Sequence, residues 1–398
     1  MTLRPIVVGA ALVAAIGACD QQLTVPGQCP EFCPGGNSQV AEIVIPVTLD
    51  SDTTFVGYVG NLEVPALLVS EGIEPGEARA WYQFPSRPDT VLVDEWLPYT
   101  IDSVAFSFPM VGLDTLRDDL RLILHRVPIT LDTTVTFEEM EALLTDESVV
   151  DTVALADTLR AGQVARFVLS GDVLSRLEFP ADDSGFLGLG IRLVPGTGSG
   201  VRLGSLGGSA PPVWTTYARV EVSDTARQRQ SLSFGADQNG YIMARPPITD
   251  PDALWLGGLP SARSVLRFEL PLNIRDSALI LRATLELVPA SPFAGIPGDP
   301  GILQVRGVLR DLGGKSTPTF TAVGARELPS SGSETISVEV QSVVELWRGA
   351  NGLPQMLYLN MLFDGGSFDR PLFRSTRSGM GAPQLRIDYL VPGRTEQP

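Results

Sequence analysis

From Val40 onward the chain alternates apolar and polar residues with a period of two, in short runs broken by Gly, Pro, Asn and Asp. Residues 41–49 (AEIVIPVTL), 104–108, 120–125, 165–169 and 187–194 are strand-like by this alternation or by their β-branched content. The second half repeats the behaviour at 264–270, 283–288, 302–309, 335–340, 356–363 and 384–389. Only two stretches read as helix. Thr136-Phe137-Glu138-Glu139 opens one with a capping-box pattern that runs on to Leu144, and 342–348 (SVVELWR) makes a short second one. Many short strands joined by turns predict an all-β fold of the antiparallel sandwich or jelly-roll kind.

The two halves can be laid side by side. Residues 79–84 match 263–268, 101–108 match 280–287, 168–174 match 338–344, and 210–217 match 382–389, in the same order each time. Collinear matches with small changes of offset predict a duplication with loop insertions. At 398 residues the chain is long enough for two domains, each with its own core. The boundaries read from sequence are a leader at 1–18, a tether at 19–39, sandwiches at 40–218 and 219–392, and a tail at 393–398.

Composition removes several function classes. With 44% hydrophobic residues the chain is too apolar for disorder, and with 46 acidic against 29 basic side chains it is too acidic for a nucleic-acid binder. His125 and Lys315 are its single histidine and lysine, so histidine triads, multi-histidine zinc sites and lysine Schiff bases lack material. A net charge of −17 argues against anionic partners unless calcium bridges them, and favours a neutral glycan or a basic protein surface.

A basic start at 1–4, an apolar run at 6–16 and Ile16-Gly17-Ala18-Cys19 resemble a bacterial lipoprotein signal peptide. The run is too short for a transmembrane helix, which needs roughly 20 residues. The resemblance implies lipidation of Cys19 and a membrane anchor in a bacterial envelope, with the outer membrane or cell surface favoured over the inner membrane; the rival is an ordinary signal peptide with an incidental cysteine. Within the tether, Cys29 and Cys33 can close a small disulfide loop in an exported compartment. Half of a metal site is the alternative, and it lacks further ligands.

Residues 253–258 (ALWLGG), 264–270, 280–287, 338–349 (VEVQSVVELWRG), 351–353 and 382–389 resemble the DNRLRE, or disaggregatase-related, repeat over about 219–391. The first half is similar in layout alone. That resemblance implies a secreted or surface β-sandwich that binds or builds, and it supplies no catalytic residues.

Enzyme chemistry finds little support in the residues. Glu138 with Glu141, Asp182 with Asp183, and Asp364 with Asp369 are paired carboxylates, yet nothing in sequence sets any pair across a cleft as glycosidases require. No nucleophile elbow, P-loop or dinucleotide fingerprint stands in a strand–turn–helix setting, and the glycines of 196–208 fit turns and close strand approach. His125 reads as a packed or hydrogen-bonded side chain. No organic cofactor is implied; Asp250, Asp252, Asp364 and Asp369, on turns, are candidates for a structural calcium. Sugar binding calls for aromatic rings with Arg, Asp and Asn around them. Trp81, Trp214 and Trp347 sit where they would anchor a core, whereas Trp255 stands beside the 250–252 loop and, with Asp252 and Tyr358, is the expected ligand site. The expectation is thus a non-catalytic, lipid-anchored module for polysaccharide or another surface glycan. An envelope protein–protein module is the alternative, and a hydrolase comes third.

Overall fold

The computed structural model describes residues 40–390 except 50, 57–63, 74–75, 114–118, 128–130, 132–133, 156–162, 178–185, 224–225, 245–251, 259–260, 294–300, 330–331, 349–352 and 363. In chain order the strands of the first half are β1 Val40–Pro46, β2 Thr53–Val56, β3 Ala66–Glu71, β4 Ala78–Pro85, β5 Thr90–Leu92, β6 Trp96–Leu113, β7 Arg121–Val127, β8 Val149–Ala154, β9 Val164–Ser170, β10 Phe186–Leu193, β11 Ser199–Gly204 and β12 Val213–Ser223. Those of the second half are β13 Ala226–Gly235, β14 Gln238–Met243, β15 Ala253–Trp255, β16 Ala262–Arg267, β17 Leu279–Leu287, β18 Ile302–Arg310, β19 Thr317–Pro318, β20 Gly324–Glu327, β21 Ile336–Glu339, β22 Met356–Met361, β23 Leu372–Arg374 and β24 Gln384–Leu390. The helices are α1 Phe137–Leu143, α2 Leu272–Asp276 and α3 Gln341–Arg348. All these strand pairs are antiparallel, and the fold is an all-β sandwich, as the alternation predicts.

Two units share one strand order. In the first, β13-β12-β6-β9 packs on β14-β4-β10-β7-β8, and β11 joins them by pairing with both β3 and β6. In the second, β1-β24-β17-β21 packs on β2-β16-β22-β18-β20, with β15 and β23 at the corner. Even the bulges coincide: β6 against β12 slips between Tyr217 and Ala218, and β17 against β24 slips between Ile280 and Arg282, opposite Tyr389 and Asp388. The division of the sheets corrects the boundaries read from sequence. Strands β1 and β2, inside 40–218, lie in the second unit, while β13 and β14, inside 219–392, lie in the first. Each copy therefore lends its first two strands to the other. Each edge they cover is the same in both copies, so alternation alone could not say which copy would take them.

The sequence alignment of the copies also moves by one residue in two places. Buried Trp214 and Leu385 occupy equivalent positions facing Phe106 and Leu285, and buried Phe167 and Val338 are likewise equivalent. A slip of one residue turns every side chain to the opposite face, and burial settles the register.

Each core lies between its two sheets. In the first, Tyr82 and Phe84 of β4 meet Phe108, Phe106 and Trp214 from the opposing sheet, with ring centroids 4.9–6.2 Å apart. The second is mostly aliphatic, built around Leu266, Leu285, Leu357 and Leu385, with Phe268 against Trp347 of α3 and Phe293 against Phe373. The outer face of β4 carries Trp81, flanked in the ladder by Gly190 and Gly240. Helix α1, capped by Thr136 and Glu139 as its sequence predicts, covers this face through Met140 and Leu144. A Cβ on Gly190 would collide with Leu144 at 2.6 Å. The units are locked together by Phe368, which enters the first core from the second unit, and by the Tyr241 hydroxyl, which donates to the Gly365 carbonyl at 2.7 Å.

Candidate functional site

Trp255 does not offer its ring to solvent. It is 2% exposed on β15, pairs with Leu372 of β23, and lies under the Arg370 guanidinium, 4.5 Å from its ring centroid. Tyr358 is buried on β22 beside Arg263, and burial raises its hydroxyl above the ordinary range. The Asp252 carbonyl accepts from the hydroxyls of Ser375 and Ser378, which fastens the segment before the last strand. Trp255 and Tyr358 are thus part of the second unit's packing, while the Asp252 side chain is exposed, its carboxylate 3.9 Å from Arg377 Nε. Trp81, Trp214 and Trp347 are buried, in keeping with their reading as anchors.

The calcium candidates are separately engaged. Asp364 accepts from Arg263 Nε at 2.5 Å and Asp369 accepts from Ser367 at 2.7 Å, while Asp250 lies outside the described residues. No group of three or more His, Cys, Asp or Glu side chains placed to hold a metal occurs among the described residues. Cys19, Cys29 and Cys33 also lie outside them, as do Asp182 and Asp183. Glu141 pairs with Arg79, and Glu138 stands exposed on α1.

His125 is buried on β7, with Nδ1 2.9 Å from the Ser148 hydroxyl and Nε2 without a partner. The Ser148 hydroxyl donates to backbone carbonyls of the same turn, so Nδ1 carries the proton. Burial, and next the Arg192 charge, lower its pKa to about 4 from 6.5. The unfolded chain therefore binds the proton first, and stability falls as pH drops from about 6.5 toward 4, by on the order of 3 kcal/mol. Urea midpoints at pH 7.5 and 4.5 should differ less in His125→Gln than in the parent.

A different surface gathers chemistry suited to a ligand. On the outer face of β9-β6-β12-β13 the registers set residues in rows: Arg166, Ser107, Val213; then Val168, Ala105, Thr215, Ser233; then Ser170, Ser103, Tyr217, Ser231. Small side chains make this a flat floor, and hydroxyls stud it at the spacing of neighbouring strands, roughly 5 Å. Tyr217 rises from it, 37% exposed, and Arg166 Nη2 donates to its hydroxyl at 2.8 Å. Thr215 and Ser233 share a hydrogen bond of 3.0 Å across the ladder. Sequence reasoning passed over this face, yet its signal was present. In VWTTYARV, Trp214, Thr216, Ala218 and Val220 are buried, and the alternate residues Thr215, Tyr217 and Arg219 fall on the polar side.

The second unit serves as an internal comparison. At the position equivalent to Tyr217 it has Asp388, and the face is closed by ion pairs. Arg386 reaches Glu42 at 2.6 Å and Glu286 at 2.8 Å, and Arg282 reaches Glu339 at 3.1 Å. One copy of the face is thus self-satisfied, and the other presents a ring and hydroxyls to water.

Other surfaces offer less. A shallow depression of about 450 Å³, lined by residues including Val47, Leu49, Glu269 and Thr376, holds a single carboxylate. No helix among the described residues is long and apolar enough to cross a membrane. No protein-family model matches the chain, and no curated protein is significantly similar to it. The likeness to the disaggregatase-related repeat rests on the residues quoted for it.

Proposed function

We propose that the chain is a non-catalytic, lipid-anchored envelope protein that takes a polysaccharide or other surface glycan on the outer face of β9-β6-β12-β13. The observation that carries this reading is the Tyr217 ring, held at its hydroxyl by Arg166 above a floor of serine and threonine hydroxyls. A tethered aromatic ring gives a sugar an apolar surface at little cost in side-chain entropy, and the hydroxyls supply the polar contacts that fix register. The lipoprotein-like leader ending at Cys19 supports placement in the envelope, and the repeat-like segments support a binding role.

Affinity electrophoresis of the full chain in gels of dextran, β-glucan, galactomannan and polygalacturonate tests this. Retardation by at least one gel, weakened about tenfold or more in Tyr217→Ala and unchanged in Asp388→Ala, is expected. Retardation that ignores Tyr217 would place the site elsewhere. A second reading, an envelope protein contact, draws on the β5–β6 hairpin, whose exposed Leu92 and Trp96 stand opposite each other. Glycan binding that survives Tyr217→Ala but fails in Trp96→Ala would move attention to that hairpin.

A further inference from the structure

The whole chain is acidic, but the candidate face is not. Arg166, Arg219, Arg227 and Arg229 lie on it, against the carboxylates of Asp102 and Glu221. Arg219 pairs with Asp102 at 3.0 Å and Arg227 with Glu221 at 3.2 Å. Arg229 stands directly across the ladder from Arg219, and no carboxylate among the described residues pairs with it. Two like charges opposed in this way destabilise a strand pair, and among the described residues of these four strands no third carboxylate lies on the face. Around the equivalent position in the second unit the arginines are matched by Glu42, Glu286 and Glu339.

Building on the reading of this face as a glycan site, we infer that its ligand is an acidic polysaccharide, whose carboxylate or sulfate groups are met by Arg229 and its neighbours while a sugar ring lies at Tyr217. Net charge does not decide the matter. At physiological salt the screening length is about 8 Å, so a bound group senses the arginines of the face before the distant surplus of acids. A guanidinium presents paired N–H donors that fit a carboxylate or sulfate in bidentate fashion, and Arg229 is exposed for that contact. Calcium is not required as a bridge on this face.

Edge strands also carry charges simply to deter aggregation, and β13 is an edge strand. The two roles separate in the laboratory. The full chain is tested by affinity electrophoresis against matched pairs: dextran and dextran sulfate, hydroxyethyl-cellulose and carboxymethyl-cellulose, and fully methyl-esterified pectin and polygalacturonate, with and without chelator. The expected result is preference for the charged member of at least one pair, retained in chelator and weakened by salt. Arg229→Gln should reduce that preference about fivefold or more and Arg229→Lys less, while Lys315→Gln, the same charge change away from the face, leaves it intact. Equal binding to both members of every pair would overturn the inference while leaving the glycan reading in place. Preference that survives Arg229→Gln, or a variant that changes only solubility, would overturn it too. Binding to no member of any pair would remove both.

Discussion

Deleting residues 40–56 is expected to unfold the second sandwich, which lies far along the chain, while the first keeps its structure. Strand β1 runs beside β24 from Val40 against Leu390 to Pro46 against Gln384, and β2 covers the edge of β16. Ile45 and Val47 are buried in the second core, each contributing roughly 2 kcal/mol by burial. Asp52, 1% exposed, accepts hydrogen bonds from the Thr376 backbone N–H and hydroxyl and lies 3.5 Å from the Arg377 guanidinium. Together with the ladder hydrogen bonds, at about 1 kcal/mol each, the loss is on the order of 10 kcal/mol, comparable with the whole stability of a domain. Hydrogen exchange read by mass spectrometry should show protection lost over 262–287 and 336–390 and kept over 78–127. Loss that begins in the first unit, or spreads evenly, would show that the strand exchange does not govern stability.

That exchange marks where sequence reading stops. The alternation in residues 41–49 identifies β1 as a strand and even its inner residues Ile43 and Ile45, because a pleated strand sorts its side chains by parity. Nothing local in those residues distinguishes the edge of β24 from the edge of β12, since both copies present an apolar inner row there. The capping box at Thr136 and the amphipathic 341–348 were legible because their signals are contained within one turn or two. Trp255 shows the opposite case. Its nearness in sequence to Asp250 and Asp252 says nothing of Arg370, which arrives from more than a hundred residues away to cover it. The glycine-rich 196–208 lay between these extremes. Close approach was foreseeable from Gly200 and Gly204, but that Phe368 would be the group approaching Gly200 was not.

The same logic of a group fixed from several directions gives the second large effect, at Arg79. This guanidinium is buried on the outer face of β4 and donates to Glu71 at 2.8 Å, Glu77 at 2.9 Å, Glu141 at 2.5 Å and the Ser70 carbonyl at 2.6 Å, with the Phe137 ring 5.2 Å away. It thereby ties β3, the β3–β4 connection and α1 to one strand. Arg79→Met keeps much of the volume and removes the charge, leaving Glu71 in a site where burial already raises its pKa against the pull of Arg79. Breaking such a partly buried ion cluster from one side is expected to cost about 3–5 kcal/mol, most of it from the carboxylate left without a partner. Two measurements separate that cause from lost packing. Adding Glu71→Gln should recover part of the loss, because the stranded charge is gone. Lowering the pH toward the ordinary carboxylate range should also narrow the gap between Arg79→Met and the parent: a carboxyl whose folded pKa is raised binds its proton more readily in the fold, so its penalty is fullest at neutral pH and fades in acid. The Arg79 charge also helps to lower the His125 pKa, so the comparison is made with His125→Gln present in both proteins, which removes that opposing contribution. A gap that stays constant from pH 7.5 to 4.5 and ignores Glu71→Gln would show that Arg79 acts by filling space.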